Sequence, residues 1–229
     1  DLSLHFIHNG YIYFSTYTGY GTEIFATAGS NATTAMLKDI YPGGMSSYAT
    51  AANQMVLNNK VVVVFSYESS GSSTGYYLTD GTPAGTTKVT QPVSAGGPMG
   101  ILGGNKYIFA GCINNYDCEI YSSSGVNGDA ILLKDIHPGT SSGNANSSSP
   151  SFAAKLGDKI IFTATNATEG VELYVTDGSP AGTLLLKDIY AGSAGSSPSN
   201  FAVAGSKLIF RAKSDVYGEE LWVTDGTPA

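Results

Sequence analysis

The sequence predicts an all-β fold, a five-bladed β-propeller of four-stranded antiparallel blades. The first observation is a motif that recurs along the whole chain and is clearest in its last copy, Glu220-Leu-Trp-Val-Thr-Asp-Gly-Thr-Pro-Ala229. The second is that each copy lies among short alternating segments rich in β-branched and aromatic residues, and the third is that no segment has a helical period. Self-similarity from end to end favours a single repeat domain, 1–229.

The other copies of the motif set the number of repeats at five. Residues 170–183 are a near copy, residues 77–86 preserve its second half, and two copies have lost the turn aspartate, replaced by Ala28 and Ser124. An apolar anchor of the second segment recurs every 46 to 53 residues. The anchors are Phe14, Val63, Phe109, Phe162 and Phe210. The predicted blades are approximately 1–43, 44–93, 94–139, 140–192 and 193–229.

Each repeat divides into four strand-sized segments. The fourth repeat is complete, and its segments are 151–155, 159–164, 171–176 and 183–189. The first two segments of a repeat are joined by tight turns such as His8-Asn-Gly10, which are typical of hairpins. The fifth repeat has segments only at 200–204, 207–212 and 219–224, so the last blade is predicted to lack its outer strand. A five-repeat solenoid and a pair of β-sandwiches are the alternatives.

The repeat unit resembles that of the ELWxxDGT repeat family of secreted and surface proteins. The resemblance is carried by Gly218-Glu-Glu-Leu-Trp-Val-Thr-Asp-Gly-Thr and by the strand Gly182-Thr-Leu-Leu-Leu-Lys-Asp-Ile189. It implies a propeller-like repeat protein and implies little about chemistry. The second repeat departs most from the pattern, with Gly75 in place of the motif glutamate and Thr90-Gln91-Pro92 in place of Lys-Asp-Ile.

Composition excludes several classes of partner. The net charge is −7 and only 13% of residues are charged, whereas binding to nucleic acid or to an anionic membrane surface requires basic patches. No apolar run approaches the roughly 20 residues that a membrane-spanning helix needs. The sequence therefore predicts neither nucleic-acid binding nor membrane insertion.

Cysteines and sequons indicate a secreted or cell-surface protein. Cys112 and Cys118 flank a short loop within a predicted hairpin, where a disulfide is geometrically reasonable; two free buried thiols are the alternative. A disulfide would indicate an oxidising compartment. Three sequons, beginning at Asn31, Asn146 and Asn166, would be N-glycosylated in a host that glycosylates.

Most repeated carboxylates are predicted to have structural roles. An Asp that accepts backbone N–H groups, followed by Gly and Pro, specifies the turn between the third and fourth strands. These turn residues are Asp80, Asp177 and Asp225. Two further sets could bind calcium, but hydrogen bonding between strands or blades is the predicted role, and no cofactor is expected. They are Glu23, Glu119, Glu172 and Glu220, and Asp39, Asp135 and Asp188.

Catalysis has little support in the sequence. Propeller glycosidases place carboxylates on the innermost strands, and none of the five first segments contains one. Two Gly-x-Ser-x-Gly spellings, at 71–75 and 139–143, lie in Gly/Ser-rich loops and do not join a strand to a helix. The sequence therefore predicts a non-enzymatic protein.

Tyrosines in the loops between second and third strands are the predicted binding groups. Tyr20, Tyr116 and Tyr217 each precede a motif glutamate by three residues. Repeated aromatic rings beside polar groups are typical of sugar-binding sites, although packing over the blade edges would also explain them. The polar neighbours chosen as candidate ligand-binding residues are Asn115, Asp117 and Asp215.

Two functions follow from this pattern. The first is an extracellular carbohydrate-binding or adhesion propeller, whose weak repeated sites for glycans or surface proteins gain avidity from presentation on one face. The alternative is a structural repeat protein that assembles into oligomers or filaments by pairing at the open edge of its last blade.

Overall fold

The structure is a computed structural model that describes residues 2–19, 21–43, 46–48, 50–65, 75–113, 117–141 and 144–228. The described chain is built from antiparallel strands and one short 3₁₀ helix, Asn31–Thr33, and it confirms the predicted all-β class. It divides into two compact units, which are described separately. Unit 1 comprises residues 1–95 and 124–129, and unit 2 comprises residues 96–123 and 130–229.

Unit 1 contains two four-stranded sheets, each with its strands in sequence order. The strands of blade one are β1 (Leu2–His8), β2 (Tyr11–Thr18), β3 (Gly21–Thr27) and β4 (Ala35–Lys38). Those of blade two are β5 (Thr50–Leu57), β6 (Lys60–Val64), β7 (Tyr76–Thr79) and β8 (Thr87–Val89). A buried cluster joins the facing sides of the two sheets, with Tyr13, Ile24 and Leu37 from blade one and Val61 and Val63 from blade two.

Unit 2 contains the other three repeats and a small two-stranded ribbon. The strands of blade three are β9 (Ser94–Leu102), β10 (Lys106–Ile113), β11 (Asp117–Ser123) and β12 (Ile131–Lys134). The ribbon consists of β13 (Thr140–Ser141) and β14 (Asn144–Ala145). The strands of blade four are β15 (Ser151–Leu156), β16 (Lys159–Asn166), β17 (Gly170–Thr176) and β18 (Leu184–Lys187). Those of blade five are β19 (Ser199–Ala204), β20 (Lys207–Ser214) and β21 (Gly218–Thr224).

Two buried clusters hold unit 2 together by packing one blade on the next. The first joins blades three and four and includes Ile108, Ile120, Phe162 and Tyr174, with Leu185 packed against it. The second joins blades four and five. Its members include Ile161, Leu173, Leu186, Ile189, Leu208 and Phe210, with Trp222 packed against it. Blade four is therefore packed on both faces, which is why its strands read as nearly continuous apolar runs.

The hairpins between first and second strands form as predicted. The turn between β5 and β6 has Asn58 at φ 51° and Asn59 at φ 63°, which are left-handed conformations that Asn tolerates better than most residues. The predicted strands of blades four and five match the observed ones to within two residues at most ends. The predicted segment 183–189 is longer than β18, because the chain turns away from the sheet after Lys187.

The fourth strands of blades one, three and four each carry a β-bulge at the same position. In blade four, Leu173 pairs with Lys187 and Tyr174 pairs with Leu185, so Leu186 is the extra residue. The same register shift occurs in blades one and three. The extra residues Leu37, Leu133 and Leu186 are all buried, which shows that the bulge serves to place an apolar side chain in the core.

Candidate functional site

Three of the motif glutamates are buried carboxylates. Glu23 lies on β3, Glu119 on β11 and Glu172 on β17, and each is at most 2% exposed. Burial of a carboxylate is costly unless several donors surround it. The environment of each glutamate supplies those donors from one source, the irregular connector that follows the fourth strand of the same blade.

In blade one the connector contributes three hydrogen bonds to Glu23. The N–H of Ile40 donates to Oε2 (3.1 Å), the N–H of Ser47 donates to Oε1 (3.2 Å), and the Ser47 hydroxyl donates to Oε2 (2.8 Å). The Ser47 hydroxyl also lies 3.3 Å from the Thr22 carbonyl oxygen. Glu23 therefore fixes both ends of the connector, at the residue that follows Asp39 and at a serine seven residues later.

Blade three repeats the arrangement around Glu119. The N–H groups of Ile136 (3.0 Å) and His137 (3.4 Å) donate to the carboxylate. Ser148 donates through both its N–H (3.0 Å) and its hydroxyl (2.5 Å).

Blade four does the same around Glu172. Tyr190 N–H (3.2 Å) and Ser196 N–H (2.9 Å) donate to Oε1, and the Ser196 hydroxyl donates to Oε2 (2.5 Å). We call each such set of one glutamate and one connector serine a glutamate clamp; the three clamps are Glu23–Ser47, Glu119–Ser148 and Glu172–Ser196. A hydrogen-bonding role for these three glutamates is confirmed, but their partners lie in the connector of the same blade and not on a neighbouring strand or blade as predicted.

In unit 2 the clamp serine also links one blade to the next. The carbonyl oxygen of Ser148 accepts the N–H of Thr165 on β16 (2.8 Å), and that of Ser196 accepts the N–H of Lys213 on β20 (2.9 Å). The residue after each clamp serine has a positive φ, 49° at Ser197 and 47° at Ser149. The serine thus turns the chain so that its donors face one blade and its acceptor faces the following one.

The electrostatics of the clamps reflect two opposing influences. Burial raises the pKa of the Glu23, Glu119 and Glu172 carboxyls, and the hydrogen bonds from the serine hydroxyls and backbone N–H groups act in the opposite direction. The carboxylate oxygens face these donors. Among the described residues, no group of three or more His, Cys, Asp or Glu could hold a metal ion.

The aspartates near the ends of the fourth strands are less buried than the clamp glutamates. Asp39 is half-buried, and Asp135 and Asp188 are exposed. No hydrogen bond to any of the three carboxylates lies within the described part of the chain. The hydrogen-bonding role predicted for this second set is therefore not confirmed.

Blade two replaces the clamp with another arrangement within unit 1. Gly75 stands at the position of the glutamate, and a Cβ there would lie 2.1 Å from the Val89 carbonyl oxygen, so the backbones approach too closely for a side chain. Gln91, which is 2% exposed, donates through Nε2 to the Val126 carbonyl oxygen (3.0 Å) and to Asp129 Oδ1 (3.1 Å). The two departures from the repeat pattern, at Gly75 and at Gln91, are therefore the features that replace the clamp in this blade.

Blade five has the glutamate but no partner for it. Glu220 lies on β21 at the position of Glu172, is exposed, and accepts no hydrogen bond from the described residues. β21 pairs with β20 on one side, and no described strand pairs with its other edge. Its neighbours Leu221 and Val223 are 80% and 58% exposed.

A cavity of about 340 Å³ lies beside this open edge, inside unit 2. Its apolar lining comes from blade four and from blade five. The main contributors are Leu173, Leu186, Ile189, Phe210, Trp222 and Val223. The indole N–H of Trp222 is buried and has no hydrogen-bond acceptor among the described residues.

The turn aspartates have the predicted structural role. Asp177 Oδ1 accepts the N–H (2.8 Å) and the hydroxyl (2.6 Å) of Ser179, and the hydroxyl bond is the main cause that lowers the pKa of Asp177. Asp80 and Asp225 bind Thr82 and Thr227 in the same way, and their pKa values are lowered for the same reason. In blade three, where Ser124 replaces the aspartate, the acceptor is Asp129 at the other end of the turn.

Only part of the predicted ligand-binding set falls in the described structure. Tyr20, Asn115 and Tyr116 lie outside the described residues. Tyr217 is 77% exposed and its N–H donates to the Ser214 hydroxyl (3.1 Å), while Asp215 is also exposed. Asp117 is half-buried, and burial, with a smaller contribution from Asp135, raises its pKa.

In blade four, the loop between the second and third strands lies against the long connector. A Cβ on Gly170, at the start of β17, would lie 2.5 Å from the backbone nitrogen of Gly195 in the connector. Lys213, near the end of β20, lies with its Nζ 5.2 Å from the ring centroid of Tyr190. The loop that carries Tyr217 begins two residues after Lys213.

The predicted disulfide is confirmed. Cys112 on β10 and Cys118 on β11 are a directly opposed pair and are joined by a disulfide. Of the sequon residues, Asn31 is exposed in the 3₁₀ helix, Asn166 accepts the N–H of Thr168, and Asn146 donates to the Pro138 carbonyl oxygen. No described helix is long and apolar enough to cross a bilayer.

The clamp serines are the functional residues that the sequence reasoning missed. A signal for them was present, because each connector ends in paired serines, at 46–47, 148–149 and 196–197, shortly before the first strand of the next repeat. The connectors differ in length by several residues, which hides the recurrence when only the strands are aligned.

Comparison with solved structures gives the fold class. TolB from Acinetobacter baumannii is 16% identical with a TM-score of 0.51, over 99% of this chain and 52% of that one. The uncharacterised protein lmo1340 from Listeria monocytogenes EGD-e is 13% identical with a TM-score of 0.51, over 100% of this chain and 63% of that one. No family model and no curated protein matches the sequence. The chain thus spans between half and two thirds of these two proteins, and the likeness supports the predicted β-propeller class.

Proposed function

We propose that the chain is an extracellular, non-enzymatic binding module, a five-bladed propeller of the ELWxxDGT type whose last blade is open, and that its ligands are glycans. The Cys112–Cys118 disulfide supports an oxidising compartment. Glycosylation at Asn31, Asn146 and Asn166 belongs to the same proposal. The partners would be glycans or glycosylated surface proteins.

The proposal rests on one observation: Tyr217 is exposed, and the loop that carries it is anchored by a hydrogen bond to Ser214. Tyr217 is 77% exposed and the adjacent Val216 is 68% exposed, while the backbone of the loop is fixed by the Ser214 hydroxyl. The buried glutamates and the turn aspartates have structural hydrogen bonds, so this loop stands out as a free polar and aromatic surface. An aromatic plate beside Asp215 suits the C–H face and the hydroxyl groups of a sugar.

The test is a glycan array followed by calorimetry on the best binder. We expect affinity in the millimolar range per site, weakened by Tyr217→Ala and more strongly by joint replacement of Tyr20, Tyr116 and Tyr217. Tyr217→Phe is the matched control, since it keeps the ring and should preserve most of the binding. Absence of binding to any glycan on the array would refute the proposal.

A second candidate is assembly by strand addition at the edge of β21. The observation that favours it is the unpaired edge itself, together with the exposed apolar residues Leu221 and Val223. Exposed edges of this kind readily pair with another strand. Light scattering over a wide concentration range would detect assembly, and a strictly monomeric particle would argue against self-pairing.

A further inference from the structure

We infer that the edge of β21 is a binding site for one additional β-strand, supplied by a polypeptide segment with the sequence pattern of this chain's own fourth strands and connectors. The inference rests on the second candidate function and names the partner that strand addition would take. Residues 183–197, which contain β18 and the connector up to the clamp of blade four, are the template for that partner.

The first step is the register of the missing pair. On β17, Leu173 pairs with Lys187, Tyr174 with Leu185, and Val175 with Leu184. The corresponding positions on β21 are Leu221, Trp222 and Val223, since β20 pairs with β21 as β16 pairs with β17. A strand with the sequence Leu-Leu-Leu-Lys therefore has a defined alignment along the open edge.

The second step is the cavity beside Trp222. In blade four, the side chain of Leu185 packs against the cluster that joins blades three and four, next to Tyr174. The equivalent position in blade five is the space between Trp222 and Leu186, where the 340 Å³ cavity lies. The cavity therefore has the place and the apolar lining that suit the side chain of an incoming strand.

The third step is the free glutamate. Glu23, Glu119 and Glu172 each receive N–H donors from a residue just after the fourth strand and from a clamp serine. Glu220 occupies the same register position and is exposed. The partner must therefore carry more than a strand: it needs a connector that turns back and presents a serine N–H and hydroxyl.

The fourth step concerns which chain supplies the segment. The fourth strands of blades one to four, β4, β8, β12 and β18, are already paired in their own sheets. A second copy could donate one of them only by breaking its own blade and, in blades one, three and four, its own clamp. The geometry therefore favours a free segment with this sequence pattern over a strand donated by a second copy of the chain.

The test adds a synthetic peptide that copies residues 182–197 to the whole 229-residue chain. Trp222 is the only tryptophan in the sequence, so its fluorescence reports on the cavity directly. We expect saturable one-to-one binding with a blue shift of the emission as Trp222 loses water, and slowed hydrogen exchange of the backbone amides of Leu221 and Val223.

Controls separate specific addition from adhesion of an apolar peptide. Peptide variants with Leu185→Asp or Ser196→Ala should bind at least about tenfold more weakly, because one loses the cavity contact and the other a hydrogen bond to a carboxylate. Glu220→Ala in the protein should weaken the parent peptide to a similar extent. Its neighbour Glu219→Ala, which removes an exposed ion pair with Arg211, should change affinity by less than about twofold.

Two negative results of the peptide experiment would have different meanings. If the amides of Leu221 and Val223 are protected only when the protein self-associates, and the peptide neither binds nor competes, then strand addition holds and the partner named here is wrong. If neither the peptide nor high protein concentration protects those amides while circular dichroism shows an intact β-fold, both the inference and the assembly function are wrong. Equal binding of the Leu185→Asp peptide would also overturn the inference.

Discussion

Blades four and five have closely related sequences in very different surroundings. The second strand of blade four, β16, is buried on both faces, whereas the second strand of blade five, β20, alternates strictly between buried and exposed residues. On β17 and β21 the contrast is larger. Leu173 is 1% exposed and its counterpart Leu221 is 80% exposed, while Glu172 is fully buried and Glu220 is exposed.

The contrast shows that the repeated Glu-Leu-aromatic motif is buried only where another segment of the protein packs against it. Its glutamate becomes a clamp only where a fourth strand and a connector with a paired serine follow it. Its apolar residues become core only where another blade covers them, as blade five covers blade four through Leu208 and Phe210. The same amino acids are thus core in one repeat and surface in the next, and the neighbouring segment decides which.

The largest expected effect comes from breaking the clamp in blade four. Glu172→Ala leaves the N–H groups of Tyr190 and Ser196 and the Ser196 hydroxyl without their acceptor in a buried site. We expect the free energy of unfolding to fall by about 3 kcal/mol, since loss of hydrogen bonds to a charged group leaves several donors unsatisfied.

The matched control is Glu220→Ala, which removes the same side chain from β21, whose second edge is paired with no described strand. Its expected cost is below about 0.5 kcal/mol, as for most surface substitutions. Urea unfolding of both variants, followed by circular dichroism, makes the comparison. Equal losses of stability for the two variants would show that the hydrogen bonds to Glu172 do not stabilise blade four.

A smaller effect is expected from the turn aspartates. Asp177→Ala removes the acceptor for the Ser179 N–H and hydroxyl in the turn that joins β17 to β18, and should cost about 1 kcal/mol in an exposed turn. Asp225 makes the same two contacts with Thr227 in a turn that no described strand follows. We expect Asp225→Ala to lower the denaturation midpoint less than Asp177→Ala does, and a shift as large as that of Asp177→Ala would remove the distinction between the two blades.

The strands and turns could be predicted from the sequence because their signals are local. Alternation located the strands, Asn58 and Asn59 located a hairpin turn, and the Asp-Gly-Thr-Pro spelling located the third turn. The glutamate clamps could not be completed in this way, because Ser47, Ser148 and Ser196 lie 24 to 29 residues after their glutamates in connectors of unequal length. Hydrogen bonds formed across such distances depend on the folded path of the connector, which has no periodic signal.

The smallest and most diagnostic effect is the pH dependence of stability. The pKa of Glu172 is raised above its ordinary value of 4.5, so the folded state holds more protons than the unfolded state as the pH passes through that range. The contribution of this group to stability is therefore fully present below pH 4.5 and is lost as the pH rises through the folded pKa. Glu23 and Glu119 act in the same sense. The lowered pKa of Asp177 acts oppositely, since its contribution is present above 3.8 and is lost at lower pH.

In urea unfolding between pH 4 and 8, the contributions of Glu23, Glu119 and Glu172 to stability should fall as the pH rises above 4.5. His5 acts in the opposite direction, because burial lowers its pKa. Glu172→Gln removes one of the three clamp glutamates, so stability should fall less steeply with rising pH in this variant, whatever its effect on absolute stability. A pH dependence that is the same in Glu172→Gln as in the unmodified chain would show that the buried carboxyl of the blade-four clamp does not contribute to it.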